Sequence, residues 1–107
     1  MRQFTNESQT AKLIELGFEK PKGLADAEPS SGKWVRPAYS IGELIEMLPL
    51  HIFPNKVCFD LRILANQTLW VVKYSALFRD EFHCFCSKEL IDALFDMVVE
   101  LKEEGVI

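Results

Sequence analysis

Residues 57–74 predict a β-hairpin whose alternate side chains sort onto two distinct faces. With a two-residue turn at Asn66 and Gln67, alternate residues of both strands share one face. The predicted pairs on one face are Ala65 with Thr68, Ile63 with Trp70, Leu61 with Val72, and Phe59 with Tyr74. The predicted pairs on the other face are Asp60 with Lys73, Arg62 with Val71, and Cys58 with Ser75. Because side chains alternate with a period of two, a one-residue slip would mix the faces, so this pattern favours a sheet with one buried face.

Two helices are predicted before the hairpin. The first covers residues 6–16, because Asn6 can form a capping box and Gly17 suits the left-handed position after a helix. The second begins after Ser40, whose capping-box partner is Glu43. Its predicted buried stripe consists of Ile41, Leu44, Ile45 and Leu48.

The segment between these helices contains one predicted strand. Residues 20–33 are rich in Pro, Gly and Ser and are typical of an exposed loop. Residues 34–36 predict a short edge strand that Pro37 stops, since proline donates no hydrogen bond to a ladder.

A third strand is predicted over residues 81–86, after a turn at residues 79–80, and two registers are open for it. A two-residue turn points His83 and Phe85 toward the core. A three-residue turn points Phe82, Cys84 and Cys86 there instead. We favour the second register because phenylalanine and free cysteine are commonly buried.

The last predicted helix covers residues 88–104, is capped by Ser87 and ends at Gly105. Its apolar stripe of Leu90, Ile91, Leu94, Met97, Val98 and Leu101 is widened by Phe95 and Val99. An arc this wide predicts contact with the sheet and with either another helix or a second subunit. The opposite arc is an acidic ridge of Glu89, Asp92, Asp96, Glu100 and Glu103. We take Glu89, Asp92, Asp96, Glu100, Phe95 and Val99 as candidate partner-binding residues.

These elements predict a single α+β domain over residues 1–107, in the order α-(β)-α-β-β-β-α. The sheet is expected to be antiparallel, with three or four strands and with the second and last helices on one face. The first helix is expected at the periphery. A hydrophobic fraction of 49% is ample for such a core.

The charge and the cysteines limit the partners and the compartment. A net charge of −4 argues against general nucleic-acid binding and against an anionic membrane surface. The N-terminal residues lack the apolar region of a signal peptide. Three cysteines without secretory context fit free thiols, so we expect a cytoplasmic protein.

The sequence contains few residues that could do chemistry. Residues 83–86, with Cys58, concentrate soft metal ligands but lack the paired spacing of zinc sites, so we expect no metal and no cofactor. The alternative is a small enzyme or ligand binder in which His51 approaches Cys58 or Cys84. That alternative predicts a concave pocket that holds a thiol of lowered pKa.

Three segments carry a resemblance to a known family: residues 40–49 (SIGELIEMLP), residues 90–98 (LIDALFDMV) and residues 104–107 (EGVI). Across residues 34–107 the chain resembles a family of small proteins of unknown function from gut bacteria, their phages and mobile elements. The resemblance implies a cytoplasmic, phage-associated accessory protein and no catalytic residues. We therefore expect a non-enzymatic interaction module that binds a protein partner, or that forms a homodimer through the wide apolar arc of the last helix or through an exposed sheet edge.

Overall fold

The computed structural model describes residues 1–26, 35–76 and 81–107. Within these residues the chain forms three α-helices and six β-strands. In chain order they are α1 (Glu7–Glu15), β1 (Gly23–Asp26), β2 (Val35–Ala38), α2 (Ile41–Met47), β3 (His51–Ile52), β4 (Phe59–Ala65), β5 (Trp70–Ser75), β6 (Glu81–Ser87) and α3 (Leu90–Glu103). A short 3-10 helix, Pro54–Lys56, separates β3 from β4.

The strands form two antiparallel sheets, which confirms the predicted α+β class. The larger sheet has the order β3-β4-β5-β6, and the smaller sheet pairs β1 with β2. The strand predicted near residue 35 therefore belongs to a separate sheet. Its partner β1 lies in a segment that was predicted to be a loop, so that prediction was wrong for Gly23–Asp26. Pro37 does not stop β2, because the strand continues to Ala38.

The β4–β5 hairpin has the predicted faces but a different register. Its pairs include Leu61 with Tyr74, Ile63 with Val72, Ala65 with Trp70, and Arg62 with Lys73, so the predicted pairs were wrong. The turn lies one residue later than predicted, because the side chain of Asn66 accepts hydrogen bonds from the backbone of Thr68 (3.0 Å) and Leu69 (2.8 Å). Moving a turn by one residue shifts the pairing by two, and a shift of two keeps every side chain on its face.

The third strand of the prediction, β6, changes face at a β-bulge. Phe82 pairs with Tyr74 and Cys84 pairs with Lys73, so His83 is an extra residue with a positive φ of 57°. As a result Phe82 and Phe85 both pack against the core, whereas Cys84 and Cys86 are exposed. The preferred register was right for Phe82 and wrong for both cysteines. The turn predicted at residues 79–80 lies outside the described residues, as do Trp34 and the loop residues 27–33.

The helix ends follow the local sequence closely. Asn6 and Ser40 each form the predicted capping box. After α1 the amide of Phe18 donates to the carbonyl of Leu13 (3.2 Å), and Gly17 has a φ of 96°, as in a Schellman motif. Gly105 ends α3 in the same way, with a φ of 77°.

The start of α3 differs from the prediction. Its N-cap is Glu89, which makes no side-chain capping bond. Ser87 instead ends β6, and its hydroxyl accepts a hydrogen bond from the amide of Glu89 (3.2 Å). Ser87 therefore supports the connection into the helix without capping it.

The core lies between α3 and one face of the four-stranded sheet. Seven residues of α3 are buried: Leu90, Ile91, Ala93, Leu94, Met97, Val98 and Leu101. They meet inward-facing side chains of the sheet, among them Ile52, Phe59, Val72 and Tyr74. Leu44 of α2, Leu48 just after that helix and Leu13 of α1 also belong to this cluster. The wide apolar arc of α3 is thus largely covered by the sheet and by α2.

Candidate functional site

Four acidic residues of the α3 ridge have partners within the chain. The guanidinium of Arg2 lies 2.7 Å from the carboxylate of Asp92, and the backbone amide of Arg2 donates to Glu89 at 2.8 Å. Lys12 lies 3.7 Å from Glu103. Glu100 lies 3.9 Å from the ring of His83. These contacts reduce the negative charge that the ridge presents to a basic partner.

The other candidate partner-binding residues lie at the borders of the core. Phe95 and Val99 are partly buried and pack against the core cluster. Asp96 is exposed, and loss of hydration together with the charge of Asp92 raises the pKa of its carboxyl. The proposed contact of this helix with a partner stays a prediction.

The face of the four-stranded sheet opposite the helices is its most accessible surface, and we call it the open face. Its outward side chains are His51, Asp60, Arg62, Leu64, Val71, Lys73, Ser75, Glu81, Cys84 and Cys86. The register sorts them into cross-strand rows. The apolar row contains Leu64, Val71 and Cys86. The cationic row contains Arg62 and Lys73, with Cys84 beside them. The acidic row contains Asp60, Ser75 and Glu81, with His51 at its end.

Three different donor groups converge at the β3 end of the open face. Strand pairing places His51 opposite Asp60, and Cys58 lies two residues before Asp60, just ahead of β4. The Nδ1 atom of His51 lies 2.7 Å from Oδ1 of Asp60. The Sγ atom of Cys58 lies 3.9 Å from that nitrogen and 3.7 Å from that oxygen. Of the two cysteines that were expected to approach His51, the structure therefore brings Cys58.

The three groups do not have the geometry of an activated nucleophile. A catalytic histidine uses one ring nitrogen for the nucleophile and the other for the carboxylate that orients it. Here Cys58 and Asp60 both contact the same nitrogen of His51. Desolvation and the charge of Asp60 also raise the pKa of the Cys58 thiol, which disfavours the thiolate.

All three cysteines are free and exposed, so the expectation of buried structural thiols was wrong. Cys84 and Cys86 share one face of β6, with Lys73 opposite Cys84. Desolvation, followed by the neighbouring Cys86, raises the pKa of the Cys84 thiol. Neither Cys58 nor Cys84 therefore has the lowered thiol pKa that the enzyme alternative predicts.

Two cavities among the described residues also lack a thiol. One, of about 230 Å³, is lined by residues near the end of α1 and by Tyr39, Glu43, Glu46 and Met47 of the α2 region. The other, of about 190 Å³, is lined by Ile52, Phe53, Pro54, Phe82 and Val106. Neither lining includes a cysteine or a histidine, so neither matches the pocket that the enzyme alternative predicts.

His83 joins the bulge of β6 to the end of α3. Its Nε2 atom lies 2.8 Å from the carboxylate of Glu104 and 3.9 Å from that of Glu100. Its ring also contacts the ring of Phe82 at a centroid distance of 4.3 Å. These contacts hold the unusual backbone of His83 in place and give it a structural role.

Comparison with family models, with curated proteins and with solved structures finds no match to this chain. The resemblance carried by residues 34–107 therefore stays a prediction. Within the part of the chain that the structure describes, no helix has both the length and the apolar character needed to cross a bilayer.

Sequence reasoning missed Asp60 as a member of the His51–Cys58 group. The spacing of Cys58 and Asp60 was a usable signal, because residues two apart on a strand share a face. The position of His51 gave no usable signal, since β3 has only two residues and shows no periodicity. The pairing of β3 with β4 is what brings the three groups together.

Proposed function

We propose that this protein is a non-enzymatic interaction module that forms a homodimer through the open face of its four-stranded sheet. The observation that carries the proposal is the apolar row. Leu64 is 46% exposed, and it lies beside Val71 and Cys86 on a sheet face that no described helix covers. The apolar surface of α3, which was expected to contact a second subunit, is largely buried within the chain.

A second copy fits this face because a two-fold axis can pass through the apolar row. In a symmetric dimer each copy contributes the same patch, so an axis at this row sets apolar side chains against one another. The cationic row would then face residues 66–69 of the second copy, which carry no charge. An axis through the cationic row would instead bring Arg62 and Lys73 against their own copies, which is unfavourable.

The size of the open face predicts a weak dimer. Because β3 has only two residues, the area is set by three strands spaced by about 4.8 Å and three rows spaced by about 6.7 Å, which give roughly 300 Å² on each copy. Stable complexes usually bury about 800 Å² on each partner. We therefore expect a dissociation constant above about 1 μM and a reversible monomer–dimer equilibrium.

The cellular context is part of the same proposal. The three free, exposed thiols support a reducing compartment such as the cytoplasm. The resemblance of residues 40–49 and 90–98 supports an accessory role in a phage or mobile element.

Sedimentation equilibrium of the full chain under reducing conditions tests the dimer, from low micromolar to about millimolar concentration. The test variant is L64K, which puts a cation at the proposed axis next to Arg62. The matched control is L24K, because Leu24 is a similarly accessible leucine, 60% exposed, on the separate two-stranded sheet. We expect the wild type and L24K to dimerise and L64K to remain monomeric. A wild type that is monomeric throughout, or an L64K variant that dimerises like L24K, would show that the proposal is wrong.

A further inference from the structure

The donor group of His51, Cys58 and Asp60 lies at the β3 end of the open face, two rows away from the proposed two-fold axis. It combines an imidazole nitrogen, a thiol sulfur and a carboxylate oxygen, and all three atoms lie within 4.8 Å of one another. We propose that these residues form a zinc-binding site with one coordination position left open. The inference rests on the geometry of this cluster and not on the dimer.

The distances fit tetrahedral zinc after small movements. Zinc bonds of about 2.3 Å to sulfur and about 2.0–2.1 Å to nitrogen and oxygen place sulfur about 3.6 Å from the other donors, and nitrogen about 3.3 Å from oxygen. The observed sulfur distances are 3.9 Å to His51 and 3.7 Å to Asp60. The nitrogen–oxygen distance of 2.7 Å is that of a hydrogen bond, which must open by about 0.6 Å to admit the ion.

The backbone holds the three donors before any metal arrives. His51 and Asp60 are fixed opposite each other by the β3–β4 pairing, which the hydrogen bond from the amide of Leu61 to the carbonyl of Leu50 (2.9 Å) extends. Cys58 lies at the start of β4, on the same side as Asp60. Preorganised ligands lose less entropy on binding than ligands on a mobile loop.

The chemistry of the donors favours zinc over Ca²⁺ and Mg²⁺. Mixed nitrogen, sulfur and oxygen ligation suits Zn²⁺, whereas Ca²⁺ and Mg²⁺ take oxygen ligands alone. Zinc binds the thiolate, so Cys58 releases its proton when the ion enters. The charge of Asp60 opposes that release in the metal-free protein, and the cation reverses this effect because it neutralises both anions.

Three protein ligands leave the fourth position for water or for a ligand from a bound molecule. Three-ligand sites with an open position are the arrangement found in zinc proteins that exchange a ligand. The site lies at the exposed β3 end of the sheet, where His51 and Cys58 are both accessible. Arg62 lies two residues along β4 from Asp60 on the same face, and its positive charge weakens the site.

Titration of the reduced full chain with Zn²⁺ by calorimetry tests the proposal, and Co²⁺ serves as a spectroscopic probe of the sulfur ligand. We expect one ion per chain and a thiolate-to-cobalt charge-transfer band. C58S should lose that band, and both C58S and H51A should weaken zinc binding by at least about tenfold.

Matched controls are C84S and C86S, because these cysteines are also exposed but lie on β6. Both should bind zinc like the wild type. Absence of zinc binding in the wild type, binding that C58S leaves unchanged, or binding that C84S abolishes would each overturn the proposal. The L64K variant should retain the site, so failure of the dimer and failure of the zinc site are distinguishable.

Discussion

Replacement of Tyr74 by phenylalanine tests how much one buried hydrogen bond contributes to the stability of the fold. The side chain of Tyr74 is completely buried, and its hydroxyl donates a hydrogen bond to the carbonyl of Pro49 at 2.7 Å. Y74F removes this hydrogen bond and leaves the ring in place. Near pH 8 the free energy of unfolding should therefore fall by about 1 kcal/mol.

Y74F should lower the free energy of unfolding by a smaller amount at high pH. Burial raises the pKa of Tyr74 to about 12 from its ordinary value of 10.0. Because the folded state holds the proton more tightly, this stabilisation is complete below pH 10 and is lost as the pH rises toward 12. Near pH 11 the loss is at most about 1.4 kcal/mol. The stability advantage of the wild type over Y74F should therefore nearly vanish.

Urea unfolding of both proteins at pH 8 and near pH 11, followed by tryptophan fluorescence, measures this difference, since Trp70 packs against the core. Other groups, such as Tyr39, titrate in both proteins and cancel in the comparison. Phenolate absorbance of the folded wild type should show a tyrosine that ionises late and is missing from Y74F. A difference in stability that stays constant between the two pH values would refute the reasoning.

Five further substitutions test the local structure by urea unfolding. G17A should destabilise by about 1–2 kcal/mol, because the φ of 96° at Gly17 is costly for alanine. G42A, in α2, should stabilise by up to about 1 kcal/mol, because the added methyl group would meet no atom closer than 3.8 Å. Equal changes in the free energy of unfolding for G17A and G42A would contradict this. M97A should cost about 2–5 kcal/mol because Met97 is completely buried, while L24A should stay within about 0.5 kcal/mol. S40A should cost about 1 kcal/mol through loss of the α2 cap, and an unchanged midpoint would show that this cap contributes nothing.

The parts of the fold that depend on neighbouring residues could be predicted from the sequence. The capping boxes at Asn6 and Ser40 and the helix end at Gly17 use atoms only a few residues apart, so local spacing determines them. The two faces of β4 and β5 were also correct, because alternation alone assigns them. Strand β1 was missed because its four residues show no alternation and need β2 as a partner.

The parts that depend on a single hydrogen bond or on distant pairing could not be predicted. The register of the hairpin was decided by the side chain of Asn66, which favours a turn one residue later. The face of Cys84 and Cys86 was decided by the bulge at His83, which strict alternation does not anticipate. The cluster of His51 with Cys58 and Asp60 required the β3–β4 pairing, which the sequence pattern does not reveal.

The extra residue in β6 also affects the edge of the four-stranded sheet, where β6 is the last strand. Without His83 the remaining residues of the strand would alternate perfectly, with Phe82 and Phe85 inward and Cys84 and Cys86 outward. Such a strand would be flat and straight, and it would present a regular row of backbone groups on which another chain could assemble. The bulge at His83 interrupts that row, which disfavours pairing of β6 with the edge of another chain.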